Sequence, residues 1–193
     1  KSNLKQKNRA TIIRECTKKL AHNPHNVQAL KPLAELYYSE HLWDKALPLY
    51  DTLSNIASRH PEIEIGETNL KQGICLVKLG KAQEATQKLI IALKSNPTSY
   101  EANLFLGKSL FKLNNFEKAI PLLKKALSLN PEASGVYQPL GLACYKAHMF
   151  KEAIQYLRRA LDENPEDKEA LYTLADSMQE CGFGDKALKI FSH

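Results

Sequence analysis

The sequence predicts an all-α protein built from stacked helix pairs, and three observations support this prediction. The dipeptide Asn-Pro occurs at residues 96–97, 130–131 and 164–165, at intervals of 34 residues. Glycines and alanines between these dipeptides recur at the same interval. A fixed period of this length with helix-ending signals is typical of a helix-turn-helix array, which is a fold for binding other molecules. The recurring residues are Gly73, Gly107 and Gly141, then Ala85, Ala119, Ala153 and Ala187, then Ala92, Ala126 and Ala160.

The apolar pattern within one period indicates two helices joined by a turn. In residues 100–133, apolar side chains recur at three- and four-residue spacing on either side of Asn114-Asn115. The two asparagines break the pattern with turn chemistry, and Asn130-Pro131 ends the second helix. Neither helix can bury its apolar stripe alone, so each pair has to stack on its neighbours.

The recurring glycines predict a close helix crossing. A glycine inside a helix costs about 1 kcal/mol relative to alanine. Gly73, Gly107 and Gly141 occupy the same place in three successive first helices, which implies a site where a side chain does not fit. We therefore expect the second helix of each repeat to cross the first over the glycine and the paired alanine.

Small and large residues at these offsets make residues 27–193 resemble the tetratricopeptide repeat (TPR) family. The resemblance implies an all-α, right-handed superhelical solenoid of antiparallel helix pairs. In that family the first helices line a concave groove that binds peptides or extended segments. The matching positions are Gly73, Leu76, Gly80, Ala85, Leu89, Ala92 and Pro97, then Leu106, Gly107, Leu110, Ala119, Leu123, Ala126 and Pro131, then Leu140, Gly141, Ala153, Leu157, Ala160 and Pro165.

The chain divides into a basic N-terminal helix and an array of repeats. Residues 1–26 are expected to form a helix that ends at Asn23-Pro24 and serves as the second helix of a degenerate upstream repeat. An insertion at residues 61–65 is expected to lengthen a loop or helix end. The C-terminus lacks the polar capping helix that repeat arrays need, so the chain is interpreted as part of a longer protein. The repeats are residues 27–60, 66–99, 100–133, 134–167 and a partial repeat at 168–193.

The net charge of +6 comes entirely from residues 1–20, which hold seven basic residues and one acidic residue. The remaining 20 basic and 20 acidic residues cancel, so no nucleic-acid partner is expected. No apolar stretch approaches the length of a membrane span. The basic segment is either a solvated helix face or the flank of a missing anchor, since positive flanks stay on the cytoplasmic side.

The cysteines predict buried free thiols. Cys16, Cys75, Cys144 and Cys181 form no CxxC pair and fall in different repeats. Buried thiols without disulfide spacing fit a reducing compartment, so a cytoplasmic location is expected, with membrane association only through a missing segment. No metal is expected, because His22 and His25 have no cysteine pair nearby.

No catalytic motif is present, and the chain is predicted not to be an enzyme. The sequence contains no phosphate loop, no HExxH and no GxSxG. No cofactor is expected either. Asp176 and Glu180 form a carboxylate pair four residues apart, which is interpreted as a solvated helix face.

The candidate site is the groove that the resemblance places on the first helices. Its middle is expected to be an exposed apolar strip with lysines along one side, which suits a protein or peptide with apolar and acidic residues. A further segment of the same protein is an alternative occupant, and self-association is another. The groove residues are Leu70, Ile74, Val77, Lys78, Leu104, Lys108, Phe111, Lys112, Gln138, Leu142, Tyr145 and Lys146, followed by Tyr172, Asp176 and Gln179.

A terminal-carboxylate clamp, as found in cochaperones of this family, does not match the groove. Of the residues at the clamp positions only Lys31 fits, and Glu35 would repel a carboxylate. The leading hypothesis is a protein-interaction scaffold that holds an extended or helical peptide within a larger assembly. The alternative is a regulatory or substrate-docking module of an enzyme whose catalytic domain lies elsewhere. An RNA-binding repeat is disfavoured, because the groove has few arginines and no regular stacking positions.

Overall fold

The computed structural model describes the backbone of residues 2–183 and the side chains of residues 8–183. This part of the chain contains ten α-helices, a single 3₁₀ turn at Ala57–Arg59 and no strand, which confirms the all-α prediction. The helices are α1 (Ser2–His22), α2 (Val27–Ser39), α3 (Trp43–Ile56), α4 (Ile65–Lys78), α5 (Ala82–Ser95), α6 (Tyr100–Lys112), α7 (Phe116–Leu129), α8 (Tyr137–Lys146), α9 (Phe150–Glu163) and α10 (Lys168–Glu180).

The chain forms two compact units, Lys1–Asn96 and Pro97–His193. In the first unit, Leu30, Tyr50 and Leu53 are fully buried or nearly so in a core shared by α2 and α3. In the second unit, the core joins α6 to α10 and includes Leu123 and Leu157. Each unit therefore has its own hydrophobic core, built from the stripes that the helical periodicity predicted.

Polar side chains determine where several helices begin. Asn26, Ser99 and Asp167 precede α2, α6 and α10, and each side chain accepts a hydrogen bond from the backbone N–H three residues later, at 3.0–3.2 Å. Each bond satisfies a donor that the first helical turn leaves unpaired. These caps went unnoticed in the sequence, although Asn, Ser and Asp are the residue types that favour this position.

The Asn-Pro dipeptides end α5, α7 and α9 in the same way. Asn96, Asn130 and Asn164 have φ values of −139°, −143° and −140°, and each donates its N–H to the alanine carbonyl four residues earlier. Proline disfavours the helical region for the residue before it and thereby forces this extended backbone.

The turn within each repeat depends on one left-handed residue. Gly80, Asn114, His148 and Gly182 have φ between 57° and 80° and lie 34 residues apart. His41 has the same conformation in the first repeat. Glycine and asparagine favour this region, whereas histidine is the less usual occupant. The sequence indicated turns at these places, including the one at His148, but not the left-handed backbone of the two histidines.

The predicted helix crossing at the glycines is confirmed. A Cβ added at Gly107 would lie 2.7 Å from Leu123 Cγ, and one added at Gly141 would lie 2.7 Å from Leu157 Cγ. At Gly73 the corresponding neighbour is Leu89 Cγ at 2.5 Å. The paired alanine plays a smaller part than expected, because the close neighbour is a leucine of the second helix in all three repeats.

The N-terminal segment and the insertion agree with the sequence prediction, whereas helix α8 begins later than its repeat. The N-terminal segment is helical up to His22, and Cys16 packs with Leu33 of α2. The insertion forms a loop in which Ile63 is buried, so it lengthens the connection as expected. Helix α8 begins three residues into its repeat, because Gly135 with φ 78° forms a turn there. The second helix of the partial repeat, including Ala187, lies outside the described residues.

We expect Gly107→Ala to destabilise the protein although alanine is the better helix former. Overpacking costs about 1–3 kcal/mol, whereas the gain in helix propensity is about 1 kcal/mol. Urea denaturation followed by circular dichroism measures the difference. In a Leu123→Ala background the clash is absent and the same substitution should stabilise. Equal effects in both backgrounds would contradict the packing explanation.

The left-handed turn gives a second prediction. Asn114→Val should lower the free energy of unfolding by about 1–2 kcal/mol, because a β-branched residue is strained at positive φ. Asn114→Gly is the matched control and should have little effect, since glycine is the residue in the equivalent turns at Gly80 and Gly182. Thermal unfolding of both variants checks this, and equal stability of the two would contradict it.

Candidate functional site

The first helices place the predicted groove residues at three different depths. Lys78, Lys112 and Lys146 are exposed, each in the last turn of its helix. The residues that are half-buried are Leu70, Val77, Lys108, Phe111, Gln138 and Tyr145. The residues that are buried are Ile74, Leu104 and Leu142.

The expected exposed apolar strip is therefore wrong at three of its positions. Ile74 is 4% exposed, Leu104 is 6% exposed and Leu142 is 4% exposed. Leu104 and Leu142 belong to the core of the second unit. A core-facing stripe on a helix covers more than 100°, so periodicity alone did not separate residues facing the core from residues facing the groove.

Aromatic residues of the groove also hold the helix pairs together. The ring of Phe111 lies 5.7 Å from that of Phe116, and the ring of Tyr145 lies 5.9 Å from that of Phe150. In each case the end of a first helix contacts the start of the second helix across the turn. Tyr38 and Trp43 make the equivalent contact at 5.2 Å in the first unit. These rings are half-buried, so part of each remains accessible to a ligand.

Two lysines of the second unit lie close to aromatic rings. Lys146 Nζ is 5.6 Å from the centre of the Tyr145 ring, and Lys108 Nζ is 5.8 Å from that of Phe105. Contacts of this kind hold the aliphatic part of a lysine against the surface and leave its charge in water. Together with exposed Lys112, they make the α6 and α8 faces positive.

The α10 face carries the opposite charge. The Tyr145 hydroxyl of α8 donates a hydrogen bond to Asp176 Oδ2. This bond, burial and the charges of Asp176 and Glu180 raise the pKa of Tyr145, so both carboxylates lie near that ring. Tyr172, one turn before Asp176, is 64% exposed. The groove face of the second unit thus runs from lysines on α6 and α8 to carboxylates on α10.

The first unit contains a cleft between α2, α3 and α4 with a volume of about 290 Å³. The Tyr50 hydroxyl donates to Glu35 Oε1 at 2.7 Å, and Lys71 Nζ lies 3.3 Å from Glu35 Oε2. Burial, followed by the bond to Glu35, raises the pKa of Tyr50. The lining residues are Lys31, Glu35, Tyr50, Leu53, Glu64, Glu67, Thr68 and Lys71.

This cleft does not form the carboxylate clamp considered from the sequence. Glu35 is already bound to Tyr50 and Lys71, and Lys31 donates to the backbone oxygen of Glu62. No pattern in the sequence indicated the cleft, because its lining comes from three helices and from the insertion.

The cysteines of the first helices lie in the core, as predicted. Cys75 and Cys144 are fully buried and free, and burial raises their pKa to about 12 and about 11. Cys16 is also buried, whereas Cys181 is half-buried. Within residues 8–183 no group of three or more His, Cys, Asp or Glu side chains is placed to hold a metal ion. None of the described helices is long and apolar enough to cross a membrane.

Comparison with known proteins identifies the repeats. Two family models, both described as tetratricopeptide repeat, match residues 70–134 and residues 145–193. A solved structure of the MamA protein is 23% identical over 86% of this chain and 87% of its own, with a TM-score of 0.70. YrrB, described as a TPR protein with an unusual peptide-binding site, is 21% identical over 92% of this chain and 89% of its own, with a TM-score of 0.72. No curated protein matches the sequence.

The burial of the thiols predicts an order of reaction. Cys181 should react with a water-soluble disulfide reagent at pH 8 well before Cys75 and Cys144, because buried thiols with a raised pKa supply little thiolate. Mass spectrometry of the labelled peptides measures the order, and denaturant should make all sites react alike. The interpretation would be wrong if Cys75 or Cys144 reacted as fast as Cys181 in the folded protein.

Proposed function

The chain belongs to the tetratricopeptide repeat family, and on that premise we propose that its first-helix face binds an extended or helical peptide segment of a partner protein. Proteins of this fold act as interaction scaffolds, and the peptide-binding site described for YrrB supports this use of the fold. The observation that carries the proposal is the groove face of the second unit, where exposed lysines alternate with half-buried aromatic rings.

The depth of each residue limits what it can contribute to binding. Leu104 and Leu142 stabilise the core and are out of reach of a ligand. The accessible apolar surface of the second unit includes the half-buried rings of Phe111 and Tyr145. A ligand therefore gains affinity from aromatic edges and from ion pairs with Lys112 and Lys146.

The chemistry of this face defines the partner. A segment with acidic side chains beside apolar ones complements lysines beside aromatic edges. The three buried free thiols fit a reducing compartment, so a cytoplasmic location is part of this proposal. A second copy of the chain is an alternative occupant that the sedimentation measurement below distinguishes.

Selection of peptides from a displayed random library on the immobilised 193-residue chain tests the proposal. We expect binders that contain acidic and apolar residues. The variant Lys112→Glu/Lys146→Glu should bind them about tenfold more weakly or worse, because each reversal replaces an attraction of up to about 1 kcal/mol with a repulsion. Fluorescence anisotropy measures the affinities.

The matched control is Lys118→Glu/Lys151→Glu, which changes the same total charge on exposed positions of α7 and α9, the second helices. It should bind like the wild type apart from a small long-range effect. Equal losses in both variants would move the site away from the first helices, and failure to recover any binder would overturn the proposal. Concentration-dependent sedimentation of the free chain would identify self-association instead.

A further inference from the structure

The charge at one position of the first helix reverses in the last repeat. Three first helices carry a lysine in their last turn, at Lys78, Lys112 and Lys146, and the next residue in this series is Glu180. One turn earlier, Lys108 of α6 corresponds to Asp176 of α10. Helix α10 is the fifth first helix and is acidic at both positions, where α4, α6 and α8 are basic or apolar and α2 carries Glu35 and Ser39.

Helix stability explains the lysines but not the carboxylates. A cation in the last turn interacts favourably with the helix dipole, which accounts for the lysines in α4, α6 and α8. Helix α10 has no basic residue in its last turn, and Glu180 there is unfavourable for the same reason. Asp176 and Glu180 also repel each other, since they lie four residues apart on one helix face. The hydrogen bond from the Tyr145 hydroxyl explains Asp176, so it is Glu180 that needs an explanation outside the helix.

The two carboxylates share their face with an exposed aromatic ring. Tyr172, Asp176 and Glu180 follow one another at intervals of four residues and form one stripe along α10. Tyr172 is 64% exposed, and Asp176 is held by the hydroxyl of Tyr145. An aromatic face beside carboxylates attracts cations, and a guanidinium can stack on the ring while it bonds a carboxylate.

We propose that the stripe Tyr172, Asp176 and Glu180 binds an arginine or lysine side chain of the same peptide whose acidic residues face Lys112 and Lys146. This inference rests on the proposed function and adds the order of charges along the ligand. The occupant follows from charge complementarity: a purely acidic peptide would be repelled at α10 and a purely basic one at α6 and α8.

The spacing of the first helices sets the spacing of charges in the ligand. Packed helices lie about 8–10 Å apart, and an extended peptide covers about 3.3–3.6 Å per residue. A peptide that crosses α8 and α10 therefore places its basic residue about three residues from the acidic residue that faces Lys146. The polarity of the face also fixes the direction in which a given peptide lies.

The test combines changes in the peptide with changes in the protein. The probe is the tightest peptide recovered from the displayed random library, with synthetic versions in which each Arg or Lys is singly replaced by Gln. The proteins are the wild type, Asp176→Asn/Glu180→Gln, and the control Glu117→Gln/Asp162→Asn on exposed positions of the second helices. Asparagine retains an acceptor for the Tyr145 hydroxyl, so the variant removes charge and leaves that contact possible.

One basic residue of the peptide is expected to pair with the carboxylates of α10. Its replacement by Gln is expected to weaken binding to the wild type and to the control about tenfold, since an ion pair and a ring contact are lost together. The same replacement should change binding to Asp176→Asn/Glu180→Gln by less than about twofold, because the partner charges are already gone. Anisotropy at low and high salt measures both effects.

The outcomes separate this inference from the proposed function. Binders that depend on Lys112 and Lys146 but show no coupling between a basic residue and the α10 carboxylates would overturn the inference and leave the proposed function standing. Coupling of equal size in the control variant would also overturn it. If the library yields no binder, both fail.

Discussion

The close crossing of the two helices within each repeat is the constraint on which the rest of the structure depends. At Gly73, Gly107 and Gly141 a leucine of the second helix fills the space where a Cβ would lie. One side of each first helix is therefore covered by the second helix of the same repeat. The left-handed turn residue separates the two helices of each pair, and the extended asparagine before proline ends the second helix. What remains of the first helix, on its other side, is the surface available for a ligand.

The charges on that surface have two different physical origins. Lysines at the ends of α4, α6 and α8 interact favourably with the dipoles of those helices, which explains them without a partner. The carboxylates of α10 oppose the dipole of their own helix, and Asp176 accepts a hydrogen bond from Tyr145 of α8. Such differences are visible in a periodic array because residues at equivalent positions of successive repeats can be compared directly.

The sequence predicted the helix pairs, the ends of the second helices at Asn-Pro and the glycine crossing, because a 34-residue period repeats each local signal and makes chance matches improbable. It predicted the groove less well. Ile74, Leu104 and Leu142 looked like ligand-facing residues, yet the structure buries them, since periodicity gives the side of a helix but not the depth of a side chain. The cleft around Glu35 was missed because three helices build it. The late start of α8 follows from Gly135, whose positive φ could not be read from composition.

The most direct test of the account is a backbone NMR titration of the 193-residue chain with a selected peptide. Amide shifts of the second unit should concentrate on α6, α8 and α10, with the largest changes near Lys112, Lys146 and Asp176. The partner helices α7 and α9 should change little, since the crossing at the glycines directs them away from the ligand. Shifts concentrated on α7 and α9, or on the basic helix α1, would contradict peptide binding at the first helices of the second unit.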